Sequence, residues 1–366
     1  MKDPFFIPPS PILSKAVQPL ADFFSLPTLP LHIHEIVIMA SFYQFVATVI
    51  SPLVSLLIFP TQYEALSRSK KLSWDVHVVS LVQSTTINIL ALWVLFTDQE
   101  VKEMDWQERL WGYDGAAAMI QAFAAGYFVW DLIITASNVK IFGLGMLAHA
   151  ISALLAYSLG FRPFVNYYSC NFILWELSSP FLNIHWFCDK VGLTGSKFQL
   201  YNGFLLIGTF FSCRLVYGTL NSYWVARDIL AGINATPNVM ATLAAKDAAN
   251  VTLPVTLPAS YEQTMIYVNE NTTVPLWLAA VYIGANLTLN CLNFYWFFKM
   301  IEAIRKRFDT PDDKAADKKT VETEEKPKGA VEGATTALDG PATELKMRPR
   351  RGTLLDGEEA DLPPPN

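Results

Sequence analysis

Charge is what this chain is shortest of. Only 16% of its 366 residues are Asp, Glu, Lys or Arg, against 52% hydrophobic and 13% aromatic, and the mean hydropathy is +0.28. Most of that charge is confined to short connectors and to the stretch beyond Arg307. A soluble domain needs a charged surface, so the remainder reads as a polytopic membrane protein. No basic, aromatic-interleaved patch is present, and no nucleic-acid partner is expected. Cysteine is scarce as well. Cys170, Cys188, Cys213 and Cys291 lie in or beside apolar runs with no Cys-x-x-Cys or Cys/His ligand spacing, so they read as small buried hydrophobes. Neither a metal nor a cofactor is expected. The first twenty residues carry five prolines and no uninterrupted apolar core, so they are not expected to act as a cleavable signal peptide.

Long apolar runs are what the chain has in abundance. They cover residues 36–59, 74–96, 110–137, 141–159, 164–187, 200–224 and 275–301, each of a length that crosses a bilayer as a helix. The fold class is therefore all-α: a polytopic membrane helix bundle of about seven transmembrane helices. The organisation reads as a Pro-rich segment (1–35), a first span (36–60), a six-helix core (72–306) with a polar loop at 225–274, and a disordered tail (307–366) that is charged, rich in Ala, Gly and Pro, and almost free of aromatics.

Two independent signals orient the bundle. With Arg305, Lys306 and Arg307 in the cytosol, an odd number of spans also places Arg68, Lys70, Lys71, Lys140, Lys190 and Lys197 there, as the positive-inside rule requires. The 225–274 loop then falls on the lumenal side, and it holds the sequons of Asn234, Asn250 and Asn271, which are glycosylated only there. The N-terminus is expected in the lumen and the tail in the cytosol. Within the tail, Arg350-Arg351-Gly352-Thr353 has the spacing that basophilic kinases accept, making Thr353 a candidate phosphorylation site.

Polar residues inside apolar runs mark the candidate site, since a charge at mid-membrane costs several kcal/mol unless it is partnered. Glu176 and Asn183 fall in the fifth run, around Pro180, and Arg214 in the sixth, at a depth where Glu176 and Arg214 are expected to pair. Asp131 in the third run and His149 in the fourth are placed to meet, the carboxylate orienting the imidazole as in many acid/base sites, or each to serve only as an interhelical hydrogen-bonder. Asn286, Asn290 and Asn293 form a stripe that reads as helix–helix glue, with Gln121 a further polar residue of the third run. Asp131, His149, Glu176, Asn183 and Arg214 are thus the candidates for a lipid-sized pocket. The small residues 115–118 and 122–126 of the third run either widen that pocket or close it by tight packing.

Several patterns in order carry a resemblance: Trp74 with Val78-Val79-Ser80, GYFVWD ending at Asp131, MLAHAISALLAYSLG around His149, ELSSPFLNIHW from Glu176, RLVYG from Arg214, and LNFYWFFKM in the last run. Together they resemble the TLC domain family, over about Leu72 to Lys306. That family includes ceramide synthases, translocon-associated membrane proteins and small lipid-handling proteins, and the chain is most similar to the non-synthase branch. In the synthases, paired histidines and a His-Asp-x-x-Asp element are associated with amide formation from an acyl-CoA. Here His149 is followed by Ala150, and NFILWELSSPFLN occupies the region of the second element. The resemblance therefore implies a protein of the endoplasmic reticulum or Golgi membrane, more a lipid handler than an enzyme, with membrane lipids as partners. A His149-dependent acyltransferase and a cargo- or translocon-associated factor are the alternatives. The topology has a direct check: an epitope placed within 225–274 is expected to be protected from protease in sealed microsomes, with endoglycosidase-sensitive mass at one or more of the three sequons.

Overall fold

The computed structural model describes residues 1–162, 164–235, 265–266 and 273–308. The expectations for Asn250, Asn271, Thr353 and the tail lie outside these residues. The described chain is helical apart from one two-residue antiparallel ladder, Gly112–Tyr113 with Met265–Ile266. Eight helices carry the architecture: α1 (Pro11–Phe24), α2 (Leu29–Ile58), α3 (Arg68–Thr97), α4 (Gly115–Ser137), α5 (Val139–Leu159), α6 (Ser179–Lys190), α7 (Lys197–Asn234) and α8 (Leu276–Phe308). Their ends are locally encoded. The Asp114 carboxylate accepts the Ala117 N–H to cap α4, and Ser196 Oγ accepts the Gln199 N–H to cap α7, each satisfying a donor that the first helical turn leaves open. Pro52 has no N–H to give, and the hydrogen-bond ladder of α2 slips into a π turn over Val46–Ile50 just before it.

Six of these helices, α2, α3, α4, α5, α7 and α8, are long and apolar enough to cross a membrane. The expected crossing at 164–187 exists as a passage but not as one helix. It is built from a 3₁₀ turn at Asn166–Tyr168, a single α turn at Ser169–Ile173, a second 3₁₀ turn at Leu174–Ser178, and then α6. Its start is held beside α4, where the Val165 N–H donates to the Leu110 carbonyl, and its end lies beside the first turns of α3, where Trp186 stacks on His77 at 4.0 Å. Pro180 in the first turn of α6 explains where regular helix resumes, because only at a helix start is its missing N–H harmless.

The surface and interior are inverted relative to a soluble fold. Leu57, Phe96, Ile133, Leu144, Phe204 and Phe298 are exposed, while Gln83, Asn88, Asp131, Asn183, Glu176 and Arg214 are buried. An apolar belt around a polar-stitched interior is what hydrocarbon solvent selects, since a polar side chain facing lipid finds no partner. Cys170 and Cys188 are buried as expected, but Cys213 is half-buried and Cys291 is exposed on the apolar belt.

Two boundaries differ from the sequence reading, and one is the end of α7, which continues past Trp224 to Asn234, into the expected polar loop. In the other, the first membrane helix begins at Leu29 rather than Ile36, because Pro30 sits in its first turn and His32, His34 and Glu35 are covered by the segment that precedes α1. That helix packs closely against the helices that follow it. The α2–α4 pairing is the most extensive in the bundle, followed by α4–α5. The small residues of α4 make this possible: a Cβ on Gly126 would stand 2.8 Å from both the Ile36 carbonyl oxygen and Met39 Cβ. The two backbones touch there, as small-residue interfaces in lipid allow. Gly126→Leu is therefore expected to lower stability by roughly 1–3 kcal/mol through overpacking, seen as a lower thermal midpoint in detergent, whereas Ile133→Ala on the exposed face should leave it unchanged.

Candidate functional site

Arg214 lies on a π-helical stretch of α7, Phe210–Tyr217, and its guanidinium is buried between α6, its preceding 3₁₀ turn and α8. Nε donates to Ser178 Oγ at 2.9 Å, Nη2 to Ser179 Oγ at 2.9 Å and Nη1 to Asn293 Oδ1 at 3.0 Å. The Glu176 carboxylate stands 3.5 Å from Nη2 and accepts the Ser179 hydroxyl at 2.7 Å. The expected Glu176–Arg214 pair is present, with Ser179 bridging it and Ser178 accepting a further guanidinium N–H, so each charge keeps hydrogen bonds in the buried interior. Asn290 of the asparagine stripe donates to Ser222 Oγ and to Asn286 Oδ1, stitching α8 to α7.

Beside this cluster a cleft of about 40 Å³ is lined by Gln121, Phe128, His149, Tyr157, Phe172, Trp175, Glu176 and Tyr282, among others. It is much smaller than the lipid-sized pocket expected from the sequence, since ligand pockets run from about 300 Å³ upward. The physical reason is α4. Its small residues close the bundle instead of widening it, and Ala125, buried against Ala21, Leu26, Ile36 and Phe161, faces the α1–α2 side. Two polar groups that border the cleft are buried without a hydrogen-bond partner: His149 Nδ1 and Trp175 Nε1.

The other candidates are not part of the cleft. Asp131 is bonded to Thr135 one turn along its own helix at 3.4 Å, and no hydrogen bond joins it to His149, whose ring lies against Phe128 and Trp296. Asn183 Oδ1 accepts from His77 Nδ1 at 2.7 Å and its amide nitrogen donates to Ser80 Oγ at 3.0 Å, tying α6 to α3. Arg214 borders Glu176 from outside. Asn234 is exposed at the last residue of α7, its amide on the Leu230 carbonyl. Gln121, singled out as a polar residue of the third run, does line the cleft, whereas Trp175 and His77 went unassigned by sequence reasoning. His77 carried the available signal, a polar residue in an apolar run, whereas Trp175 gave none.

At the opposite end of the broken passage, Tyr168 donates to Asp228 Oδ2 at 2.6 Å, and Arg109 Nε reaches the same oxygen at 2.9 Å. At that same end of the bundle, Asp114 takes the N-terminal ammonium, and burial foremost, relieved by that ammonium, raises its carboxyl to about 6.

Comparison with known proteins places the chain. A family-level profile for the TLC domain matches residues 73–302. An uncharacterised TLC domain-containing protein of Schizosaccharomyces pombe is 40% identical over 308 residues, covering 83% of this chain and 90% of its own length. The topoisomerase I damage affected protein 4 of Saccharomyces cerevisiae is 26% identical over 287 residues, or 75% and 85% of the two chains. Human TLC domain-containing protein 4 is 34% identical over 156 residues, or 42% of this chain and 58% of its own.

The ion-pair cluster generates a measurable expectation. Glu176→Gln or Arg214→Met alone leaves a buried group uncompensated and should destabilise by roughly 3–5 kcal/mol, while the double variant loses less than the sum. Additive losses in a double-mutant cycle, followed by unfolding in mixed micelles, would show that the two side chains act independently.

Proposed function

Since the chain belongs to the TLC domain family, we propose that it is a multi-pass protein of the endoplasmic reticulum or Golgi membrane that binds membrane lipid and contributes to lipid homeostasis. The observation that carries this reading is the cleft, where His149 Nδ1 and Trp175 Nε1 remain unsatisfied between aromatic walls. Buried polar groups are normally paired, and an orphaned pair beside an apolar wall suits an amphipathic occupant with a polar head and a hydrocarbon body. The broken backbone supports it. Irregular segments at membrane depth persist where they are enclosed by protein or border a cavity, and the 3₁₀ turns that interrupt the fifth passage carry Trp175 and Glu176. At about 40 Å³ the cleft in this conformation holds little more than water. Lipid entry therefore requires the aromatic side chains of the broken passage to part. In this reading the Lys- and Arg-bearing end of α3 and α8 is cytosolic and the Asp114 end lumenal.

A second reading is acyl transfer, favoured by one observation: His149 Nδ1 has no partner and borders the same cleft as Glu176, which leaves an imidazole nitrogen able to take a proton. One experiment separates the two. Native mass spectrometry of the protein in mild detergent is expected to show co-purifying lipid, diminished by Ala156→Leu at the cleft wall and altered in head-group distribution by His149→Ala, with no turnover of acyl-CoA. Lipid limited to a non-selective annular shell, unchanged in both variants, would refute lipid binding in the cleft. Acyl-CoA consumption abolished by His149→Ala would establish the second reading instead.

A further inference from the structure

Away from the cleft, the segment before α1 is folded into the bundle and brings Asp3 to the first turns of α2. Ligand atoms of Asp3, His32 and Glu35 all lie within 4.8 Å of one another. The segment is seated closely: a Cβ on Gly115 would stand 2.4 Å from the Asp3 backbone nitrogen, Phe5 packs edge-on against Phe123, and His34 Nε2 bonds the Ile7 carbonyl at 2.8 Å. His32 and Glu35 are fully buried.

The atoms are arranged as a ligand set. Asp3 Oδ1 accepts the Phe5 N–H at 2.8 Å, which turns Oδ2 toward His32 Nδ1 at 3.6 Å. Glu35 Oε1 stands 2.7 Å from the same nitrogen, and Glu35 Oε2 is buried without any hydrogen-bond partner. His32 Nε2 is occupied by the Tyr113 hydroxyl at 2.6 Å, the outer contact that fixes the tautomer of a metal-binding histidine and leaves Nδ1 as the ligating atom. Two carboxylates confined this closely are relieved by a shared cation.

We propose that Asp3, His32 and Glu35 bind one zinc ion through Asp3 Oδ2, His32 Nδ1 and the Glu35 carboxylate. Zinc bonds of about 2.0 Å in a tetrahedral site set its donors roughly 3.3 Å apart. The Asp3–His32 spacing is already near that value, and the Glu35 oxygen needs to retreat by roughly half an ångström. One imidazole and two carboxylates form a neutral site with Zn²⁺, the charge balance that a buried setting favours, and the mixed nitrogen–oxygen donor set suits zinc rather than calcium or magnesium. Sequence spacing gave no sign of it, because Asp3 joins the two α2 residues only through the fold. Bound zinc would staple the N-terminal segment across the end of the bundle.

The test uses the full chain in detergent, carrying a C-terminal affinity tag without histidine. Metal analysis after dialysis should find close to one zinc per chain in the wild type and in His149→Ala, and little in Asp3→Asn, His32→Ala or Glu35→Gln. Asp3→Asn lies outside the membrane helices, so it reports on the site even if the α2 variants fail to fold. Chelator-treated wild type given Zn²⁺ alone should recover a higher thermal midpoint. Tyr113→Phe should keep the metal but weaken its affinity about 10–100-fold, and X-ray absorption should show one imidazole nitrogen with oxygen ligands. Absence of both stoichiometric zinc and a thermal response to Zn²⁺, retention of zinc in Asp3→Asn and His32→Ala, or preferential loading with another divalent metal would overturn the assignment.

Discussion

The Arg214 guanidinium cannot leave the bundle interior, and much of the architecture follows from that. An uncompensated cation at membrane depth is expensive, and this one is met by acceptors from two other segments: Ser178, Ser179 and Glu176 on the broken passage and Asn293 on α8. These contacts fix the rotation and depth of α7, α8 and α6 relative to one another. The cluster also accounts for the local backbone. A π-helical stretch in α7 carries the arginine inward, and a 3₁₀ turn carrying Glu176 and Ser178 runs into Ser179 at the start of α6 to receive it.

The opposite side of the bundle is held by a different device. Helix α4 has no charge to pair except Asp131, and it packs by closeness, its glycines and alanines letting α2 and α5 approach, and at Gly126 the backbone of α2 comes into direct contact. In lipid, where apolar burial provides no drive for helix association, such close van der Waals contact is the main source of affinity between helices. The bundle is therefore tight along α4 and polar along α7, and the cleft with its unsatisfied imidazole and indole groups lies between these two regimes. A lipid reading and the small closed volume are compatible because the wall that separates them is the irregular passage, whose short turns are easier to displace than a continuous helix.

Much of the fold was legible in the sequence because hydrocarbon imposes a crude rule. Runs of apolar residues of bilayer length become crossings, so six of the seven appear as continuous helices close to the expected limits. The depth of Glu176 and Arg214 along their runs was enough to pair them. The departures share a cause. Pro180 and the serines around it sit in a run that is apolar on average, and hydropathy cannot distinguish a helix from a chain of short turns whose hydrogen bonds are satisfied by neighbours.

By itself the sequence determined the class of the protein, the apolar runs that form its long helices and the polar residues that must be buried, since these depend on composition and period along a single segment. Rotation about each helix axis was decided only by tertiary structure. It turned Asp131 to Thr135 instead of His149, gave Asn183 to His77, and closed the space beside α4. It also brought Asp3 to His32 and Glu35, residues that no local pattern connects. Which side of a helix faces which neighbour is set by the packing of several segments at once, and a helix that is apolar on all sides carries little record of it in its own residues.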